Sequence, residues 1–148
     1  DVKIIYNQLV KKISISKKVM PILLFDGHCN LCNSWIKFII KRDPAKKIRF
    51  AQLQSNSGKE ILVKNNIDEK YIDSLVYIED SNYYFNSTAA IKILSILNGW
   101  VRYLKFLIII PLPIRDFLYR VIAKYRYKIF GRLEKCMIPS DDYKERFL

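Results

Sequence analysis

The stretch Pro21-Ile22-Leu23-Leu24-Phe25-Asp26-Gly27-His28-Cys29-Asn30-Leu31-Cys32 decides how this chain is read. A short apolar run bounded by Pro21 and Gly27 has the character of a buried strand. It leads into Cys-x-x-Cys, and an amphipathic helical pattern starts at once: Leu31, Trp35, Phe38, Ile39 and Arg42 recur at i, i+4, i+7, i+8 and i+11. A strand that delivers two thiols to the start of a helix is the arrangement a dithiol–disulfide catalyst needs. Two intervening residues let a small ring close without distorting the backbone. The free N–H groups and partial positive charge of the helix start favour a thiolate on the first cysteine. Cys29 is therefore the candidate nucleophile and Cys32 the candidate resolving thiol.

Working outward, Asp43-Pro44 ends this helix, because a residue before proline disfavours helical backbone. Ile48 to Leu53 read as a second strand, and Ser55 or Ser57 caps a helix running to about Lys64. Leu75 to Ile78 and Tyr83 to Phe85 read as two strands joined by the turn Glu79-Asp80-Ser81-Asn82. Asn86 or Ser87 caps the next helix, whose apolar face is Ala90, Ile91, Leu94 and Leu97, with Asn98-Gly99 closing it. The order β-α-β-α-β-β-α predicts an α/β fold, a thioredoxin-like mixed four-stranded sheet flanked by helices. A helical C-terminal extension follows. Trp100 to Ile110 is apolar up to Pro111, and a helix from about Ile114 to Phe130 carries the stripe Leu118, Val121, Ile122, Tyr125 and Ile129, whose spacing fits packing on the core. The expected division is a basic appendage over 1–20, a core over 21–98, and the extension over 99–148, packed on the same domain.

With 148 residues, half of them hydrophobic, the chain suits one domain with a real core. No window reaches about 18 uninterrupted apolar residues, so a transmembrane span is not expected. Residues 1–20 have scattered lysines and no secretory pattern, although a chain beginning at Asp1 leaves open what preceded it. Three cysteines, an odd number, argue against a disulfide-stapled secreted scaffold, and a cytoplasmic setting fits best. The net charge of +12 is concentrated late: residues 101–148 hold eleven Lys/Arg against five Asp/Glu. A basic surface attracts nucleic acid, anionic lipid or acidic proteins without specificity. Dispersed lysines also keep a greasy domain soluble, and no Arg-rich or RNP-like motif points to a specific nucleic acid.

Each candidate residue has a plainer reading beside the chemical one. The cysteines could be half of a zinc site, for which only His28 and Cys136 remain as ligands, or two inert core residues. His28 could favour the neighbouring thiolate or pass protons, or be an exposed loop residue. Asp26 could deprotonate Cys32, or cap an Asx-type turn with Gly27. Gly27 is expected to supply a backbone conformation other residues resist. Cys136 could be a third redox thiol, but reads more readily as a small buried hydrophobe. Trp35 suits the core or a substrate-binding lip.

Taken together, Phe25-Asp26-Gly27-x-Cys29-x-x-Cys32, Asp43, Arg49-Phe50-Ala51-x-Leu53-Gln54-Ser55 and Gly58 resemble the DCC family of thiol-disulfide oxidoreductases. The likeness continues through Ser87-x-Ala89-Ala90, Tyr119-Arg120-x-Ile122-Ala123-x-x-Arg126-Tyr127-x-x-Phe130-Gly131-Arg132, Cys136 and Arg146-Phe147-Leu148. The family is named for the residues that correspond here to Asp26, Cys29 and Cys32. The resemblance implies a thioredoxin-like fold and oxidoreductase activity. One departure from thioredoxins and glutaredoxins is that Ile72-Asp73-Ser74 offers no proline before the third strand, where a substrate backbone would pair. The resulting expectation is disulfide exchange by Cys29 and Cys32, tuned by Asp26 and His28, with no metal or organic cofactor. Its partners are a disulfide-containing protein or small-thiol substrate and an unidentified electron donor, with at most weak contact with a membrane surface. The rival expectation is a non-enzymatic thioredoxin-like module that uses its basic face for an acidic protein, anionic lipid or nucleic acid.

Overall fold

The computed structural model describes residues 2–5, 20–72, 75–132 and 143–148. Most of the expected basic appendage, and Cys136, lie outside the described residues. Four strands, β1 (Ile22–Phe25), β2 (Arg49–Gln52), β3 (Leu75–Glu79) and β4 (Asn82–Phe85), form one sheet in the order β2-β1-β3-β4. β1 runs parallel to β2 and antiparallel to β3, and β3 runs antiparallel to β4. The helices are α1 (Asn30–Arg42), α2 (Asn56–Lys64), α3 (Asn86–Ile96) and α4 (Leu112–Phe130), with a ten-residue 3-10 helix at Trp100–Ile109 between the last two. The expected mixed four-stranded sheet flanked by helices is the architecture observed, in thioredoxin-like order.

Continuous apolar runs make β1 and β3 central strands, because a strand covered on both faces has no polar side to alternate with. Leu23, Phe25, Phe50, Leu75 and Tyr77 pack with Ile36 and Ile39 of α1 and Ala89 and Ile93 of α3. Leu24, Ala51, Val76 and Ile78 pack on the other face with Leu62 of α2. At about 1.5–3 kcal/mol for each large apolar side chain removed from water, these two layers hold the sheet in place. Asp80 and Ser81 both adopt positive φ, 48° and 77°, the backbone of a tight hairpin turn whose twist matches the strands.

Local signals set most of the helix ends. Ser55 caps α2 by accepting from the Gly58 N–H, and Asp43 ends α1. In α1 the buried positions are Cys32, Asn33, Ile36 and Ile39, while Leu31, Trp35 and Phe38 pack around the apolar ones. Two expectations are corrected. Phe85, without a side-chain bond, takes the N-cap position of α3, and the Ser87 hydroxyl donates instead to Asp116 of α4. The stripe on α4 does not pack on the core: Leu118, Val121, Ile122, Tyr125 and Ile129 are all exposed. The inward positions are Asp116, Tyr119, Ala123, Arg126 and Tyr127, which are half-buried. α4 therefore turns its polar side to the protein and its apolar side out.

The chain's end is tied back to the sheet. Arg146 and Asp43 form a buried ion pair at 2.6 Å, and Arg146 also donates to the Ile48 carbonyl. Phe147 packs against Phe25 and Phe50, and the Leu148 N–H donates to the Phe50 carbonyl at 2.8 Å.

Candidate active site

The site lies where β1 ends. Beyond Phe25 the chain turns through Asp26-Gly27-His28, and Cys29 occupies the N-cap position of α1 with extended backbone (φ −90°, ψ 122°). Its side chain makes no cap bond to the backbone. Cys32 follows one turn later. Both are free thiols and both are buried: Cys29 completely, Cys32 with 8% exposure.

The Cys32 thiol is pushed well above the usual range, first by burial, then by the charge of the neighbouring Cys29 and by its hydrogen bond with that sulfur. Arg126 opposes this shift with its positive charge.

Asp26 is the hub of the surrounding network. Its carboxylate accepts from the His28 N–H at 3.0 Å, Gln54 Nε2 at 2.7 Å, the Arg126 guanidinium at 3.0 Å and the Tyr127 hydroxyl. Burial pushes its pKa up, but the bonds from Tyr127, the His28 N–H, Arg126 and Gln54 together outweigh it, and the net shift is downward. Tyr127 is held protonated, by burial and by its bond to Asp26. Arg126, despite burial, is held charged by its bonds to Tyr127 and Asp26. An ionised carboxylate with four donors is a poor proton acceptor and a strong anchor. The Asx-type turn expected at Asp26 is present in the bond to His28.

Gly27 is corrected. It does not adopt a positive φ, and a Cβ there would meet the end of the Gln52 side chain, 2.8 Å from its Oε1. Its N–H donates to Gln54 Oε1 at 3.1 Å and its carbonyl accepts from Asn33 at 3.2 Å, so the loop before the thiols is braced from two sides.

Two further features surround the pair. A cavity of about 220 Å³, walled by Cys32, Trp35, Leu75, Tyr119, Ile122 and Arg126, reaches the second cysteine. Trp35, stacked on Phe38 at 5.3 Å, thus stands at both the core and a lip. Over Cys29 lies the end of α4: Cys29 forms an isolated antiparallel bridge with Arg132, Asn30 Nδ2 donates to the Phe130 carbonyl at 2.9 Å, and the Asn30 N–H to Gly131 at 3.5 Å.

The comparisons agree with this arrangement. A family model described as DCC1-like thiol-disulfide oxidoreductase matches residues 23–132, from the first strand to the segment over Cys29. The chain belongs to that family. Bacillus subtilis YuxK, itself uncharacterised, is 49% identical over 127 residues, covering 86% of this chain and 93% of that protein. A chloroplastic DCC family protein of Arabidopsis thaliana is 41% identical over 117 residues, covering 78% of this chain and 68% of its own length. No solved structure matches the chain.

Sequence reading named Asp26, His28, Cys29 and Cys32, and all four fall in one stretch of seven residues. It gave no role to Gln54, Arg126 or Tyr127, although the resemblance runs through them. Their polar side chains interrupt the inward face of α4 and the loop after β2, which is the signal that could have marked them.

Proposed function

We propose that the protein is a dithiol oxidoreductase acting on disulfides, with Cys29 as attacking and Cys32 as resolving thiol. The observation that carries this reading is the placement of the two free thiols: Cys29 stands at the N-cap of α1, where a helix start favours an anion, and Cys32 follows one turn later. In the first step Cys29 thiolate forms a bond to one sulfur of the substrate disulfide and expels the other as a thiolate. In the second, Cys32 passes its proton to the thiolate expelled in the first step and attacks the Cys29 sulfur, releasing the second substrate thiolate. Two electrons pass to the substrate and a Cys29–Cys32 disulfide remains, to be reduced by a dithiol donor. Asp26 positions the loop and holds Arg126 beside Cys32, where the cation supports the thiolate of the second step. His28, next to the nucleophile, tunes or relays protons. In a reducing compartment the direction is disulfide reduction.

Because Cys29 is fully buried, exchange requires the Phe130–Arg132 segment to yield. The two bonds from Asn30 that retain it are worth roughly 0.5–1.5 kcal/mol net each. Its backbone pairs with Cys29 as an extended substrate would, which offers a docking edge in a chain lacking the proline of thioredoxins. The test is a titration of the full chain in glutathione buffers, with Cys136→Ser as background and alkylation read by mass. A reversible two-electron transition of Cys29 and Cys32 supports the proposal. Thiols that stay reduced across the whole series refute it.

A further inference from the structure

We propose that the outward face of α4 is a docking surface for an anionic membrane, on which the protein lies without crossing. The inference does not depend on the thiol chemistry. Ile114, Phe117, Leu118, Val121, Tyr125 and Ile129 recur at i, i+3, i+4, i+7, i+11 and i+15, one stripe along the helix. They are between 41% and 69% exposed, whereas a soluble helix turns such a stripe to the core. Here the inward face is engaged by Asp26 and Ser87, through Arg126, Tyr127 and Asp116, so the apolar stripe is not a misplaced core surface.

The charge around the stripe selects the occupant. Exposed Arg120, Lys124 and Lys128, at i, i+4 and i+8, run along one edge of it. Between residues 100 and 132 there are eight Lys/Arg and one acid, Asp116, which is bonded to Ser87. Apolar side chains in one row with basic ones beside them are what a helix lying in a lipid interface requires: the apolar row enters the acyl boundary and the long cations reach the headgroups. A second copy of the chain would bring the basic edge against another basic edge without acids to answer it. Among the described residues no helix is long and apolar enough to cross a membrane, so contact is along the surface. Ile122 belongs both to the exposed face and to the wall of the Cys32 cavity, so a bilayer on this face lies beside the thiols.

The experiment is co-sedimentation of the full chain with vesicles of phosphatidylcholine alone and of phosphatidylcholine mixed with phosphatidylglycerol. Binding to the mixed vesicles alone, lost at high salt, is expected. At about fivefold per cation near an anionic leaflet, Lys124→Gln with Lys128→Gln lowers partitioning roughly 25-fold. Leu118→Glu abolishes it, with the circular dichroism of both variants unchanged. Equal binding to the two vesicle types, or none to either, overturns the proposal. So does a dimer in sedimentation velocity that Leu118→Glu dissociates, since the face would then belong to a second copy.

Discussion

Asp26→Asn removes the negative charge at the centre of the site and leaves the Arg126 guanidinium facing an amide. The ion pair is well shielded, with side-chain exposures of 11% for Arg126 and 5% for Asp26, so solvent screens it little. Breaking a buried pair by removing one partner costs about 3–5 kcal/mol, chiefly because the other charge stays buried and uncompensated. For a chain of this size that lowers Tm by roughly 6–20 °C. Asp26→Asn with Arg126→Met removes both charges and recovers most of the loss, so a double-mutant cycle gives a coupling of about 2 kcal/mol or more. The pH dependence has a defined sign. The folded pKa of Asp26 lies below its ordinary value of 3.8, so its contribution is fully present above that value. It is lost as pH falls through the lower, folded value, and Asp26→Asn removes this part of the acid slope. Urea titrations at neutral and acid pH read both effects. A single-variant loss below about 1 kcal/mol, or a double variant no more stable than the single, refutes the anchoring role.

Other expectations follow from individual contacts. Gly58→Ala in an ordinary helix gains up to about 1 kcal/mol. Here a Cβ would lie 2.0 Å from the Gln52 carbonyl oxygen, so the sign reverses and the variant loses about 1–3 kcal/mol in urea unfolding. Arg146→Met, which strips Asp43 of its buried cation, costs about 3–5 kcal/mol by the same measurement. Glu145→Ala, one residue away, breaks only an exposed pair with Lys46 and leaves the urea midpoint unchanged. Asn30→Ala removes the bond to the Phe130 carbonyl and speeds alkylation of Cys29 by up to about tenfold, the equivalent of one hydrogen bond.

Much of the fold was legible because its signals are local. The run Ile22–Phe25, the stop at Asp43-Pro44, the cap at Ser55 and the turn at Asp80-Ser81 each act within a few residues, and each appears where expected. The thiol pair was legible for the same reason. What escaped depends on distance along the chain. Tyr127 and Arg126 reach Asp26 across about a hundred residues, and Arg146 reaches Asp43 across a similar span. No periodicity reports such pairings. The orientation of α4 was misread because an apolar stripe is ordinarily the buried one. The polar bonds of Asp116, Arg126 and Tyr127 hold its rotation, and they leave the stripe outside. Gly27 was misread because a glycine in a loop suggests a special φ, whereas here the side chain of Gln52 occupies the space.

The central claim is that Cys29 attacks and Cys32 resolves, and trapping the mixed disulfide tests it most directly. Cys32→Ser and Cys29→Ser, each in a Cys136→Ser background, are mixed with oxidised glutathione and followed by intact mass. The account predicts that Cys32→Ser accumulates a stable glutathione adduct on Cys29, while Cys29→Ser forms none or forms it far more slowly. Rapid adduct formation on Cys32 in the Cys29→Ser variant, with Cys29 inert in its counterpart, would contradict the account and assign the attack to the thiol that lines the cavity.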